Sequence, residues 1–425
     1  MKKIGVAILG LGVVGSGTYR ILTEHREFYK KTQGVDIEVV SVLEKDSSRL
    51  ASLSVPKEKI ASNIAEVVGD PDVNIVVETI GGVTTAKEYA LAALNIGKTV
   101  VTGNKELYAN YSHELENVAR RHNAGLFFEA SCMGGVPVVR TLLDGLQGNK
   151  LTALMGIVNG TTNYILTRMT DSGVSYEAAL AEAKELGYAE ADPTADVEGY
   201  DAAYQLSILA SLAFHAKVPF SKVFREGITN VSQEDVLGGK QLGYTLKLLA
   251  IGKNTDAGIE VRVHPTFVSK DHPLSGVGGN NNAVFVKGDA VGEVMLYGKG
   301  AGSLPAGSAV VSDIIYAATH AENRYSTFKN EAAPSKDTVF AEDFVSAYYL
   351  RLLAEDEPGV LAKITSALGK NHVSVLEVLQ RKREGGKASI VLVTHEAHES
   401  TVRNAVEKIN STQIATVESV VRVVS

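Results

Sequence analysis

The chain contains a single cysteine, Cys132, and no tryptophan. One thiol cannot form an intramolecular disulfide, so the fold must rest on its apolar core, and this usage suits a reducing compartment. Proline is scarce, with 10 in 425 residues. No apolar run reaches the length of about 18 residues that a membrane span needs. Positive charge is not in excess either: 42 lysines and arginines face 49 aspartates and glutamates, a formal charge of −7. That balance excludes a basic stripe for nucleic acid and a polybasic patch for anionic lipid. His215, His264 and His272 are scattered without ligand spacing, so no zinc site is expected. Residues 1–15 carry no cleavage signal and read as a strand rather than a signal peptide. A cytoplasmic protein with neither membrane nor nucleic-acid partners is expected.

What is present is an ordinary globular composition, 45% hydrophobic and 21% charged. The length suggests roughly two to four domains. IGVAILG (4–10) is an apolar run of the buried parallel-strand kind, and it leads through GLGVVG (10–15) into a helical pattern. G-x-G-x-x-G between a strand and a helix is the context in which the motif carries weight. Gly10 permits the turn, Gly12 lets backbone approach a pyrophosphate, and Gly15 lets helix and strand pack. Leu11, Val13 and Val14 complete the cofactor-binding loop, whose bland alternative is a glycine-rich turn with no ligand. A second strand, IEVVSVL (37–43), ends in EKDSSR. A carboxylate there favours a ribose hydroxyl and a cation favours a 2′-phosphate. Glu44 and Asp46 compete with Lys45 and Arg49, so the reading is mixed. It leans to NADP(H), or to dual use with NAD, because Lys45 and Arg49 together can clamp a phosphate.

Further strand-like runs (74–82, 98–102 and the segment reaching Ser131) alternate with helical patterns, which argues for a doubly wound α/β sheet over residues 1–130. Ligands sit beyond the carboxyl ends of such strands, where Thr79, Ile80 and Lys105 fall. Lys105 is read as an amine in a loop, functional or simply solvated. Residues 131–320 are read as a substrate and dimerisation domain, with a helix near 305–320 packing back on the first domain. Glu129 with the backbone of CMGGVPVV (132–139) can ligate a hard monovalent cation, although a structural turn is the first reading. Asn159, Thr161 and Thr162 offer caps or donors after a strand. GYAEADPTADVEGYDAAYQ (187–205) crowds Glu190, Asp192, Asp196 and Glu198 ahead of a buried helix opened by Asp201. Such a turn can grip a substrate ammonium or remain a solvated acidic loop.

These residues together resemble the homoserine dehydrogenases. AKELGYAEADPTADVEGYDAAYQ is similar to that family's signature, and GLGVVGSG, VVTGNKELYA, EASCMGGVPVV, GIVNGTTNYIL and GKGAGSLPAGSAVVSD occur in the expected order. The resemblance implies interconversion of L-homoserine and L-aspartate 4-semialdehyde with NAD(P)(H), on the route to threonine, isoleucine and methionine. It implies that Glu190 and Asp196 hold the substrate ammonium and that Tyr188 and Thr161 shape the pocket. By the same likeness Asp201 orients the proton-transfer group, Lys105 lies between nicotinamide and substrate, and the turn at Gly302 closes over the cofactor. Glu129 with the carbonyls of Cys132, Gly134 and Val136 matches a sodium loop. One position departs: the family ends its signature D-x-x-x-K, and here the lysine position is Gln205. A glutamine amide hydrogen-bonds but donates no proton, so impaired turnover is expected. Two other readings stand beside this one, a non-catalytic amino-acid sensor and another dehydrogenase of a small amino-acid aldehyde.

Residues 321–345 are polar, carry Pro334 and read as a linker. Residues 346–425 follow the order βαββαβ, ferredoxin-like, and resemble an ACT domain. In such a domain the turn at Glu357, Pro358 and Gly359 binds amino acids, with threonine as the expected effector. The fold expected is therefore α/β: a Rossmann dinucleotide-binding domain, an α+β catalytic and dimerisation domain and a C-terminal ferredoxin-like ACT domain, assembled as a homodimer or homotetramer.

Overall fold

The computed structural model describes residues 2–320, 338–412 and 414–424. Most of the expected linker, including Pro334, lies outside the described residues. The first strand, Lys2–Leu9, is buried along its last six residues. A strand hidden on both faces must lie inside a sheet covered by helices on either side. It does: five parallel strands run in the order Val35–Leu43, Lys2–Leu9, Val73–Glu78, Thr99–Thr102 and Leu126–Phe127. The expected strand ending near Ser131 contributes only Leu126 and Phe127, because residues 129–131 turn into a short 3₁₀ helix.

The helix expected near 305–320 spans Ser303–Thr319 and lies against the first helix, Val13–Glu24. Glycine makes that contact possible. A Cβ on Gly17 would fall 1.9 Å from the Ser303 carbonyl oxygen, and one on Gly307 would fall 2.6 Å from the Gly17 carbonyl carbon. Val310, Val311, Ile314 and Ala318 complete the same apolar cluster as Ile4, Val6, Ile8 and Leu22.

The second sheet is mixed. Its strands run Gly292–Lys299, Asn281–Gly288, Leu151–Ile157, Tyr244–Thr255, Gly258–Ser269, Ala415–Val424, Val345–Glu355, Lys387–Thr394 and Val375–Lys382. The last four belong to the βαββαβ unit, with helices Val360–Lys370 and Glu399–Ser411 on one face. The sequence offered this unit as a module of its own, joined by a linker. Its last strand also continues the preceding sheet: Arg422, Val423 and Val424 pair in parallel with Thr266, Phe267 and Val268. Buried charges reinforce the seam. Arg422, 3% exposed, binds Glu399 and Glu226, and Arg351 Nε donates to Asp235 Oδ1 at 2.7 Å.

Candidate active site

The glycine loop after the first strand has the conformation a dinucleotide requires. Gly10 adopts φ +88°, in the region that favours glycine, and a Cβ on Gly15 would strike the Gly10 carbonyl oxygen at 1.9 Å. A Cβ on Gly12 would meet nothing within 4 Å, so the loop is open on the side where a pyrophosphate approaches. Among the described residues no side chain caps the helix Val13–Glu24 and its first turn holds no carboxylate. Its N–H groups thus remain available to an anion. Val13 is 66% exposed and Ile80 37%, two apolar side chains at the mouth that a flat ring can cover. The Thr79 hydroxyl braces the loop, donating to the carbonyls of Leu9 (3.1 Å) and Gly10 (2.9 Å). These observations fit a dinucleotide.

At the end of the second strand Glu44 is committed to the protein. It accepts the N–H groups of Leu11 (2.6 Å), Lys45 (2.7 Å) and Asp46 (2.9 Å). Burial would raise this carboxyl, but those N–H donors and Arg49 hold it below the ordinary range. Arg49 lies near Glu44 (3.7 Å) and Asp46 (3.4 Å), and Lys45 is exposed.

Lys105 is not in a loop. Asn104 caps a helix by accepting Leu107 N–H at 3.0 Å, and Lys105 is the first residue of that helix, Lys105–Arg121. A second helix, Tyr200–Phe214, starts after Gly199 at φ +75° and carries Asp201 in its first turn. The two helices bring the Lys105 ammonium onto Asp201 Oδ1. Burial would lower this amine, but Asp201, and Asp196 further off, outweigh it and hold it above the ordinary lysine range. Asp201 Oδ2 accepts from Gln205 Nε2 (2.7 Å) and from Asn159 Nδ2 (2.9 Å). Gln205 is 3% exposed and uses its whole amide: Nε2 also donates to Val158 O at 2.9 Å, and Oε1 accepts Met133 N–H at 2.8 Å.

Asn159, expected as a cap or a donor, is both, and is the hub of the site. It caps the helix Gly160–Ser172 through Thr162 N–H (2.8 Å), and its Nδ2 reaches Asp196 (2.7 Å) as well as Asp201. Burial, then the negative charge of Asp201, pushes Asp196 above the carboxylate range. Thr161 donates to the Tyr188 carbonyl at 2.7 Å, closing the same wall. The other acidic residues of the turn go elsewhere. Asp192 closes its own turn on Thr194 (2.6 Å), Glu198 accepts from Thr229 (2.8 Å), and Glu190 is exposed, with no hydrogen bond among the described residues.

Glu129 is buried and accepts Val139 N–H (2.9 Å) and Arg140 N–H (2.7 Å). Burial, reinforced by Asp313, pushes it up to about 7. Asp313, on the helix Ser303–Thr319, accepts Glu129 N–H at 2.8 Å and Arg140 Nη2 at 2.7 Å. The neighbouring turn has Met133 at φ +54° and Gly134 at φ +58°, and Gly134 packs on Gly300. Gly135 N–H donates to Lys299 O at 3.1 Å, which ties this turn to the Gly302 turn. Glu78, fully buried at a strand end and accepting Thr102 Oγ1 at 2.6 Å, also escaped the sequence reading, as did Asp313. Glu78 carries no local motif, and Asp313 appeared only as the last residue of the segment GKGAGSLPAGSAVVSD.

A parallel sheet whose glycine loop suits a dinucleotide, with a lysine–carboxylate pair beyond its strand ends, defines a dinucleotide-dependent oxidoreductase. Family models describe three matches: "Homoserine dehydrogenase, NAD binding domain" at residues 10–129, "Homoserine dehydrogenase" at 137–315 and "ACT domain" at 348–412. The homoserine dehydrogenase of Bacillus subtilis is 42% identical over 419 residues, covering 97% of this chain and 96% of the relative. That of Corynebacterium glutamicum is 41% identical over 432 residues, covering 99% and 96%. The crystal structure of a homoserine dehydrogenase from Thiobacillus denitrificans superposes with a TM-score of 0.94 at 39% identity, covering 100% of this chain and 99% of that one. A hyperthermophilic archaeal homoserine dehydrogenase in complex with NADPH has a TM-score of 0.64 at 31% identity, covering 76% of this chain and all of its own. This chain belongs to the homoserine dehydrogenase family. It is an NAD(P)-dependent oxidoreductase of amino-acid biosynthesis, acting between L-homoserine and L-aspartate 4-semialdehyde. No described helix is long and apolar enough to cross a membrane.

Proposed function

We propose that this chain binds homoserine beside Asp196 and Asp201 and turns it over slowly, with Lys105 as its one proton-transfer ammonium. The observation that carries the reading is the composition of the Asp201 shell: one ammonium, Lys105, and two neutral amides, Asn159 and Gln205. Asp196 receives the substrate ammonium, joined by the exposed Glu190 of the same turn once substrate is bound, while Tyr188 and Thr161 form the wall. The backbone of Gly10, Leu11, Gly12, Val13, Val14 and Gly15 holds the pyrophosphate, flanked by Thr79 and the Gly302 turn. In the direction from L-aspartate 4-semialdehyde to homoserine, the reduced nicotinamide, when bound, would supply the hydride to the aldehyde carbon. Lys105 then holds a proton at the developing alkoxide, and Asp201 keeps that lysine charged. Gln205 orients Asp201 but has no proton to give. Losing one positioned acid removes ~10²–10⁴-fold in rate.

The capture of Glu44 by three backbone N–H groups supports NADP(H), or dual use, because it withdraws the carboxylate from a ribose hydroxyl and leaves the exposed Lys45 for a phosphate, which Arg49 can join by turning from Glu44 and Asp46. The buried carboxyl of Glu129 supports a sodium ion held with the carbonyls of Cys132, Gly134 and Val136. Threonine is the proposed effector of the C-terminal unit. The edge strand Gly292–Lys299, with Tyr297 58% exposed, supports pairing into a homodimer or homotetramer, in the cytoplasm. The test combines calorimetric binding of homoserine and each nicotinamide cofactor with steady-state turnover, for this chain beside Gln205→Lys. Binding by both proteins with faster turnover by Gln205→Lys is the expected result. Equal rates would remove position 205 from proton transfer.

A further inference from the structure

Residues 224–229 run between the substrate turn and the C-terminal unit and touch both. Phe224 and Arg225 pair in parallel with Arg262 and Val263, and Glu226 N–H continues the ladder onto Val263 O at 2.8 Å. Extended backbone sends successive side chains to opposite faces, and here the two faces have different neighbours. Phe224 and Glu226 go to the C-terminal unit. The Phe224 ring lies 5.7 Å from that of Phe344 and 5.4 Å from the Arg422 guanidinium. Glu226 accepts from both terminal nitrogens of Arg422, at 3.1 Å for Nη2, and pairs with Arg403 at 3.6 Å.

Arg225 and the residues after Glu226 go to the substrate turn. Arg225 Nη1 donates to the Glu198 carbonyl, and its guanidinium covers the Tyr200 ring at 3.5 Å, a cation–π contact. Its stem packs on Gly199, where a Cβ would fall 3.4 Å from Arg225 Cγ. Ile228 N–H donates to Val197 O at 2.7 Å, and Thr229 Oγ1 donates to Glu198 Oε1 at 2.8 Å. Gly227 comes closest: a Cβ there would fall 2.4 Å from the Val197 carbonyl oxygen and 2.6 Å from Glu198 Cα. The segment thus grips residues 197–200, with Asp196 immediately before them and Asp201 immediately after. A cavity of about 400 Å³ borders Arg225, Glu226 and Gly227 and reaches Glu418 and Arg422, so the segment has room to shift between its two anchors.

We infer that Arg225 and Gly227 are positioning residues for Asp196 and Asp201, and that Glu226, anchored on Arg422, holds them in place. The inference rests on the reading that homoserine sits beside those two aspartates. It needs no effector, because the pairing of Glu226 with Arg422 is present in the chain as it stands. Residues 224–229 act through geometry alone. Asn159 ties Asp196 to Asp201, so a displacement of residues 197–200 moves both carboxylates together. A misplacement of about 1 Å in a positioned group can cost about 10²-fold. The cofactor loop belongs to the other sheet, so the effect falls on homoserine and not on the dinucleotide.

The experiment is calorimetric titration of homoserine into the full chain saturated with NAD+ or NADP+, with cofactor affinity and a melting curve measured for each protein. The variants are Glu226→Gln, Gly227→Ala, Arg225→Met, Arg225→Lys and, at the site itself, Asp196→Asn. Asp196→Asn, Gly227→Ala and Arg225→Met should weaken homoserine by about tenfold or more, and Glu226→Gln by about threefold or more. Arg225→Lys keeps a charged donor for the Glu198 carbonyl and should stay within about threefold of the parent. Cofactor affinity should be unchanged throughout. If Asp196→Asn loses homoserine while Glu226→Gln and Gly227→Ala keep the parent's Kd, even at a lower Tm, the positioning role is overturned and the site stands. Equal weakening of homoserine and cofactor would mean general disorder and overturns it too. No homoserine binding by the parent, or parent-like binding by Asp196→Asn, overturns the substrate reading and the inference with it.

Discussion

Asp201 and Glu399 each stand in the first turn of a helix, each is largely buried, and each meets a cation, yet the two places are built for different ends. Glu399 is fixed by guanidinium groups: Arg422 Nε at 3.0 Å and Arg403 Nε at 2.9 Å, with the Tyr348 hydroxyl at 2.9 Å. Burial would raise Glu399, but Arg422 holds it below the ordinary range. A guanidinium does not release its proton, so this centre is permanent. Asp201 instead meets a lysine whose side chain is 37% exposed, and its other partners are amides. An ammonium at a half-open site can exchange its proton. The identity of the cation and its access to solvent, rather than the presence of an ion pair, separate a structural seam from a reactive centre.

The comparison breaks first at the seam. Arg422→Met leaves the buried Glu399 with only the half-exposed Arg403 as counter-charge and removes the closer partner of Glu226, and should cost up to about 3–5 kcal/mol, read from the urea midpoint. A midpoint equal to the parent's would mean that the strand pairing alone holds the seam. The same logic warns that deleting 346–425 exposes the edge of Gly258–Ser269, so loss of solubility should accompany any loss of regulation. At the reactive centre, Lys105→Met should remove ~10²–10⁴-fold of whatever turnover the chain has. Unchanged kcat would exclude Lys105 as the proton carrier. Gln205→Lys should raise kcat by about tenfold or more. It should also lower stability by about 1–3 kcal/mol, because a lysine cannot accept the Met133 N–H.

The smallest expected effect concerns Glu129. Its value in the fold, about 7 against an ordinary 4.5, means that the folded chain binds that proton more tightly than the unfolded chain does. Stability from this group therefore falls as pH rises through that window. Sodium competes with the proton, so sodium chloride in place of tetramethylammonium chloride should raise Tm more near pH 8 than near pH 5. Glu129→Gln should abolish the difference. The same sodium shift at both pH values would exclude Glu129 as a ligand.

The parts of this arrangement that were legible in the sequence are local ones. GLGVVG can be read because the turn, the phosphate approach and the helix contact all fall within six residues. Gln205 could be singled out only because the family resemblance places a lysine there, since a glutamine on a buried helix otherwise reads as ordinary polar packing; it lies one helical turn from Asp201, and the two do bond. Lys105 was misjudged as a loop residue because its capping residue, Asn104, reads equally well as a turn. Asn159 was legible as a cap but not as the link between Asp196 and Asp201, which lie about forty residues away. The fused sheet was hidden for a related reason. Alternation tells which face of Ala415–Val424 is buried, but not that its neighbour is Gly258–Ser269.

The close crossing of Gly17 and Gly307 has a consequence for how the chain is made. The apolar cluster under the first helix needs Val310, Ile314 and Ala318 to be complete. At about 5–20 residues per second, a ribosome takes roughly 15–60 s to travel from the first helix to the one that covers it. For that interval the nascent dinucleotide-binding unit stands with one wall open. Its earliest-made strands wait on nearly the whole catalytic domain before they are sealed.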